Sequence, residues 1–131
     1  KALEGKNVSL VAIHDGVRCF INREIFESCF AKAEEKGAVV CACKSIESVR
    51  YKEMAVNRND VYLVQTPQCF KYEIIKKAYE TPYKDCFTDD ASLVEAIGEK
   101  IHIVEGCREN IKITTPFDLK IAESILNERE Y

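Results

Sequence analysis

Residues Val8–Cys43 read VSLVAIHDGVRCFINREIFESCFAKAEEKGAVVCAC, a strand, a helix and a second strand with little chain between them. Val8–Ile13 is short, apolar and rich in branched side chains, the pattern of a strand buried on both faces. His14-Asp15-Gly16 ends it with loop chemistry. Asn22 can cap a helix running to about Lys36, with Ile25, Phe26, Cys29, Phe30 and Ala33 on one stripe and Gly37 as its stop. Ala38–Cys43 is a second apolar run. Strands alternating with helices predict an α/β fold with a largely parallel sheet and right-handed crossovers.

Working outward, residues 1–7 suit the last turn of a helix stopped near Gly5. Lys44–Asp60 is polar, lacks a helical stripe and contains the turn-forming Asn57-Arg58-Asn59-Asp60, so 44–60 reads as an arm or hairpin projecting from the body. Val61–Thr66 is a strand expected to stop at Pro67. A helix follows over about Lys71–Tyr79, with Ile74, Ile75 and Ala78 inward, and another starts at Thr88 or Asp89 and ends at Gly98. Lys100–Val104 and Ile111–Thr114 are expected as short strands. The last helix has the clearest boundary: Thr115 at its N-cap, Pro116 in its first position and Asp118 two further on. Its stripe, Leu119, Ala122, Ile125 and Leu126, is expected to face inward.

The chain has 131 residues, enough for one domain with a real core. It is 47% hydrophobic and 31% charged, which excludes a disordered or fibrous chain. The net charge of -3 gives no electrostatic case for nucleic acid or an anionic membrane. No apolar run suffices to span a bilayer, so no membrane partner is expected. Seven cysteines with no C-x-x-C read as buried, reduced thiols of a cytoplasmic protein.

In open α/β sheets, ligands sit beyond the carboxyl ends of the strands. There stand His14-Asp15-Gly16-Val17-Arg18, Gln65-Thr66-Pro67-Gln68 and Lys112-Ile113-Thr114-Thr115. A carboxylate, cations and hydroxyls at one edge suit a phosphorylated ligand with a divalent ion, Asp15 helping to hold magnesium while Arg18 and Lys112 neutralise phosphate oxygens. Each piece also has a structural alternative: Asp15 as a turn residue, Arg18 and Lys112 as surface charges, Thr66-Pro67 as a strand stop. His14 reads as an imidazole bonded to backbone that orients Asp15, His102 as a half-exposed strand residue. Asp89-Asp90 resembles a metal pair but also suits the first turn of a helix.

HDGVRCF, LVQTPQCF, TDDASLVE, VEG and NIKITTPFDLKIAESIL occur in that order, and together they resemble the 2-C-methyl-D-erythritol 4-phosphate cytidylyltransferases. The resemblance spans about Leu10 to Leu126. It implies a Rossmann-like nucleotidyltransferase fold whose projecting β-arm interlocks two subunits, making a homodimer through 44–60. It implies transfer of cytidylyl from CTP to methylerythritol phosphate with magnesium, releasing pyrophosphate, in isoprenoid synthesis. Carried over by motif, Asp15 and Arg18 lie near nucleotide and acceptor. Arg58 and Lys112 position the acceptor phosphate, Thr66 is the threonine of the TPQ motif, and Ser45 stands where the family has an arm threonine.

Cys19 departs from the proline usual in this family after the loop arginine. The family's Gly-rich nucleotide loop has no counterpart in Lys1–Asn7, so residues 1–131 read as the larger, C-terminal part of a cytidylyltransferase domain, expected to be inactive alone. Two other functions fit the same motifs: a ribitol 5-phosphate cytidylyltransferase, and a non-catalytic sugar-phosphate-binding or dimerisation module.

Overall fold

The computed structural model describes residues 2–129. Its main sheet has four strands: β1 (Leu10–Ile13), β2 (Ala38–Lys44), β5 (Tyr62–Lys71) and β6 (His102–Glu105), in the spatial order β1-β5-β2-β6. β6 runs parallel to β2, and both β1 and β2 pair antiparallel with β5. Three of the four strands therefore share a direction, as the strand-helix-strand reading requires, and β5 is wedged against them. The result is an α/β fold on a mixed sheet.

Helix α1 (Arg23–Lys36) connects β1 to β2. Asn22 caps it as expected, its Oδ1 accepting from the Ile25 N–H at 2.8 Å. Gly37 ends it at φ +96°, where a Cβ would also meet Ile74 Cδ1 at 2.8 Å. Period-2 alternation along β2 then sorts the core into two layers. Val39 and Cys41 pack with Cys29 and Ala33 of α1 and Cys69 of β5. Ala38 faces the other way, with Phe70, against Ile75 and Ala78 of α2 (Tyr72–Ala78) and Val94 of α3 (Asp90–Ala96). Phe70 is fully buried, which stabilises the fold by about 1.5–3 kcal/mol relative to an exposed ring. Cys41 and Cys69 share this core with Cys29; hydrogen bonding to Cys29 and burial hold both thiols well above their ordinary pKa.

The arm is a hairpin, as expected for 44–60. β3 (Val49–Tyr51) pairs antiparallel with β4 (Met54–Val56), and a 3-10 turn at Arg58–Asp60 returns the chain to β5. Tyr51 and Met54 at its tip are exposed, as are Leu63 and Val64 on the β5 segment beyond its base.

Several expectations need correction. β5 does not stop at Pro67 but continues to Lys71. Val40 pairs with Gln68 and Ala42 with Val64, so Gln65, Thr66 and Pro67 all stand opposite Cys41. A proline has no N–H for a ladder, and a bulge is where a strand can hold one. Ile111–Thr114 is not a strand; it runs outside the sheet, tied to the β1 loop by Ile113 N–H to the Val17 carbonyl at 3.0 Å. β1 is half-buried rather than covered on both faces, and among the described residues it is an edge strand paired with β5 alone. Residues 2–5 form a turn, not a helix, and Lys1 lies outside the described residues.

Helix α4 (Pro116–Glu128) begins where the sequence places it. Thr115 Oγ1 accepts from the Asp118 N–H at 3.3 Å, and Asp118 Oδ2 accepts from the Thr115 N–H at 2.8 Å. Backbone bonding from Thr114, then bonding from Thr115, holds the Asp118 carboxyl below its ordinary pKa. The inward stripe does not hold. Ala122 is buried, but Leu119 and Leu126 are exposed, because little of the described chain packs over α4.

The thiols also divide. All seven are free; Cys29, Cys41 and Cys69 are buried, but Cys19 and Cys86 are exposed and Cys43 and Cys107 half-buried. The two exposed cysteines lie in loops, outside the strand and helix patterns that bury Cys29, Cys41 and Cys69.

Candidate active site

The end of β1, the β5 bulge and the loop after β6 meet at a cavity of about 400 Å³. Asp15, Arg18, Gln65, Thr66, Gln68 and Lys112 line it, with Thr88, Asp89 and Asp90 on the far side. Four residues singled out by sequence, Asp15, Arg18, Thr66 and Lys112, therefore share one site.

Asp15 Oδ2 is its electrostatic centre. Arg18 Nε lies 3.2 Å from it and Lys112 Nζ 3.3 Å. Burial pushes the Asp15 carboxyl up, but Lys112 and then Arg18 outweigh burial and hold its pKa below the ordinary value. The two cations differ in freedom. Arg18 is only 13% exposed and also donates from Nη1 to the Asn110 carbonyl at 2.8 Å, so it is fixed. Lys112 is 48% exposed and can swing towards an incoming anion.

The bulge presents Thr66 to the β1 loop. Thr66 Oγ1 accepts from the Asp15 N–H at 3.0 Å and lies 3.0 Å from His14 Nδ1. His14 Nε2 lies 2.9 Å from the Arg18 carbonyl, which can only accept. Nε2 therefore donates there, and in the neutral ring Nδ1 accepts from the Thr66 hydroxyl. His14 is a strut joining Thr66 to the Arg18 backbone, in agreement with its reading as a backbone-bonded imidazole, and the hydroxyl it engages holds the Asp15 amide.

Asp89 resolves in favour of its capping role. Its Oδ1 accepts from the Ser92 N–H at 2.8 Å, starting α3, and its Oδ2 accepts from Gln68 Nε2 at 3.0 Å. Gln68 Oε1 accepts from the Ala91 N–H at 3.0 Å, pinning the helix start to the sheet. Asp90 accepts from the Tyr79 hydroxyl, and that bond, with burial, pushes the tyrosine pKa up to about 12. Among the described residues, no three His, Cys, Asp or Glu side chains converge as metal ligands. Asp15 is the cavity carboxylate engaged by cations rather than by a helix start or a tyrosine hydroxyl, and one carboxylate fits magnesium, which takes its remaining oxygens from water and substrate phosphates.

Ser45 and Arg58 are not brought to this cavity. Ser45 is buried at the arm base, where its N–H donates to the Val61 carbonyl at 3.0 Å and its hydroxyl to the Glu47 carbonyl at 3.1 Å. Arg58 Nη1 donates to the Ile46 carbonyl at 3.0 Å across the arm base, which leaves the rest of its guanidinium for another surface.

Asn110 and Gln65 stand in the motifs but carry no assigned role from sequence. Asn110 is fully buried, and its Nδ2 donates to the Thr66 carbonyl at 2.9 Å and to Gln65 Oε1 at 3.3 Å. Gln65 Nε2 donates to the Cys107 carbonyl at 2.8 Å. The available signal was an amide two residues before a site lysine, in a segment too short and polar to bury itself.

Comparison with known proteins gives the family of the chain. The sequence model of the family described as 2-C-methyl-D-erythritol 4-phosphate cytidylyltransferase matches residues 1–128. The enzyme of that name from Phocaeicola vulgatus is 50% identical over 125 residues, 92% of this chain and 57% of the relative. The Bacillus anthracis enzyme is 41% identical over 128 residues, again 92% and 57%. Among solved structures, the Thermus thermophilus enzyme superposes with a TM-score of 0.82 at 31% identity, covering 95% of this chain and 65% of that one. The 4-diphosphocytidyl-2C-methyl-D-erythritol synthase of Anaerococcus prevotii gives 0.83 at 36% identity, covering 92% and 57%. The chain thus spans a little over half the length of the curated relatives it matches. With sequence and fold in agreement, the chain belongs to the 2-C-methyl-D-erythritol 4-phosphate cytidylyltransferase family.

Proposed function

We propose that this chain carries the acceptor side of an enzyme that transfers cytidylyl from CTP to 2-C-methyl-D-erythritol 4-phosphate, releasing pyrophosphate, in isoprenoid synthesis in the cytoplasm. The observation that carries the reading is the triad of Asp15, Arg18 and Lys112 beside the Thr66 bulge, in a family whose members bear that name. A phosphate monoester is already anionic at neutral pH, so it needs no activating base to attack the α-phosphorus in line. Catalysis is then positioning and charge neutralisation. Arg18, locked by Asp15 and the Asn110 carbonyl, offers a fixed positive edge. Lys112 leaves Asp15 to meet phosphate oxygens, and the Asp15 carboxylate is then free to help hold magnesium. When bound, that ion draws charge from the phosphate oxygens. Thr66, held between His14 and the Asp15 amide, fixes the cavity wall on which these charges stand.

The arm belongs to the same proposal. A hairpin with Tyr51 and Met54 exposed pairs only with itself within the described residues and gains stability by packing on another surface. A second copy of the chain supplies it, giving a homodimer in which Arg58 reaches the partner's acceptor phosphate and Ser45 holds the arm base. The test is release of pyrophosphate by the product of the whole gene, given CTP, magnesium and either methylerythritol phosphate or ribitol 5-phosphate. Turnover with the first acceptor and not the second is expected; the reverse would reassign the substrate.

A further inference from the structure

Asn110 is the most deeply buried polar residue among those described, yet it lies in a loop with no strand or helix around it. Its polar groups reach two separate segments and its own loop. Nδ2 serves the β5 bulge at the Thr66 carbonyl and Gln65 Oε1. Its backbone carbonyl, which any residue at this position keeps, accepts from Arg18 Nη1, in the loop after β1. Its N–H donates to the Cys107 carbonyl at 3.2 Å, which Gln65 Nε2 also approaches. Lys112 follows two residues later. Asn110 Oδ1, by contrast, is buried with no hydrogen-bond partner among the described residues. Leaving an acceptor unpaired in the interior is unfavourable, and an apolar side chain of similar size would avoid it. What such a side chain could not do is donate to Thr66 and Gln65.

We propose that Asn110 is a positioning residue for the transfer reaction, fixing Arg18, Thr66 and Lys112 relative to one another and so setting where the acceptor phosphate meets its cations. The proposal rests on the functional reading above and adds a residue to it. Asn110 touches no substrate; it acts through Arg18 and Lys112. Misplacing a charged group by about 1 Å lowers a positioning-dependent rate by up to about 10²-fold.

A double-mutant cycle in the product of the whole gene separates positioning from plain stability. Asn110→Ala should lower kcat/KM for the phosphate acceptor about 10–100-fold. In a Lys112→Ala background the same change should lower it by a clearly smaller factor, because the part of the effect that runs through Lys112 is already lost. A purely structural loss would lower the active fraction by equal factors in both backgrounds. The second readout needs no activity: hydrogen exchange at the Arg18 Nε–H, followed by NMR, should quicken about tenfold or more in the folded variant, because the loop that presents the residue-110 backbone carbonyl to Arg18 is no longer tied to the β5 bulge. Should the alanine variant not fold, Asn110→Ser, which keeps a donor, replaces it in both measurements and should give smaller changes of the same sign. A folded variant with kcat/KM within about twofold of the parent, equal factors in both backgrounds, or unchanged Arg18 exchange would each overturn the proposal. If the parent protein transfers nothing, the cytidylyl reading fails, and Arg18 exchange still decides the role of Asn110.

Discussion

Lys112 Nζ lies 3.3 Å from Asp15 Oδ2 across the gap between the loop after β6 and the loop after β1. That pair is half in solvent, and it is the contact an incoming phosphate must compete with. Removing the cation has two consequences. Lys112→Ala should weaken binding of a sugar phosphate by about 10-fold or more and reduce the salt dependence of what remains, both read by titration calorimetry. It should also raise the Asp15 pKa. In the parent the folded-state value is depressed, so the stability Asp15 contributes is present above the unfolded carboxylate value and is lost as pH falls through the folded one. The variant should lose that contribution at higher pH, nearer the ordinary carboxylate value. Carbon NMR of the Asp15 carboxyl checks it, and an unshifted titration would place Lys112 elsewhere in solution.

The Thr66 hydroxyl is bonded on both sides. Thr66→Val keeps the shape of the bulge and leaves the Asp15 N–H and His14 Nδ1 without their partner, at a loss of about 1–3 kcal/mol. Thr66→Ser restores the hydroxyl and should recover most of it. Thermal unfolding of the two variants side by side is the measurement, and equal melting temperatures would show the hydroxyl to be idle.

Gly106 is a close-approach position. A Cβ there would stand 2.4 Å from Gln65 Oε1, with Ala42 N and Cys43 Sγ at 3.4 Å. Glutamine is flexible, but this one is held by Asn110 and Cys107, so moving it breaks both bonds. Gly106→Ala should therefore lose about 1–3 kcal/mol by denaturant unfolding. In a Gln65→Ala background the same substitution should become nearly neutral, since the obstructing atom is gone.

Much of this architecture was legible from local signals. Asn22 and Gly37 bracket α1, and Thr115, Pro116 and Asp118 open α4, because caps are written in a few adjacent residues. Asp15, Arg18, Thr66 and Lys112 were legible as a set, since strand ends point to one edge and the family motifs fall there. What failed depended on tertiary context. Pro67 reads as a stop until a bulge opposite Cys41 accommodates it. Ile111–Thr114 alternates like a strand, yet no neighbour pairs with it. Leu119 and Leu126 show helical spacing without being covered. Asn110 escaped because hydrogen bonding to two distant segments leaves no periodic trace in its own.

Arg58 gives the sharpest test of the proposed dimer. Arg58→Ala should cost on the order of 10²-fold in kcat/KM in the whole gene product, while leaving assembly intact. Arg58→Lys should also be damaging, because an ammonium cannot reproduce the planar fork. Mixing inactive Arg58→Ala and Lys112→Ala proteins should restore activity on subunit exchange, since a mixed dimer collects both lesions in one site. Demonstrated exchange without recovery would confine Arg58 to its own chain.

β5 is paired on both flanks, carries Gln65 and Thr66 in its bulge, and meets β1 on the side from which Asp15 emerges. The hairpin, by contrast, is joined to that strand only through its base and bonds to itself. The arm is therefore free to drift. Residues between Ile46 and Asn57 can be lengthened, shortened or exchanged with this chain's own cavity left in register. An insertion within Thr66–Lys71 has no such latitude: one added residue turns Cys69 and Phe70 to opposite core layers.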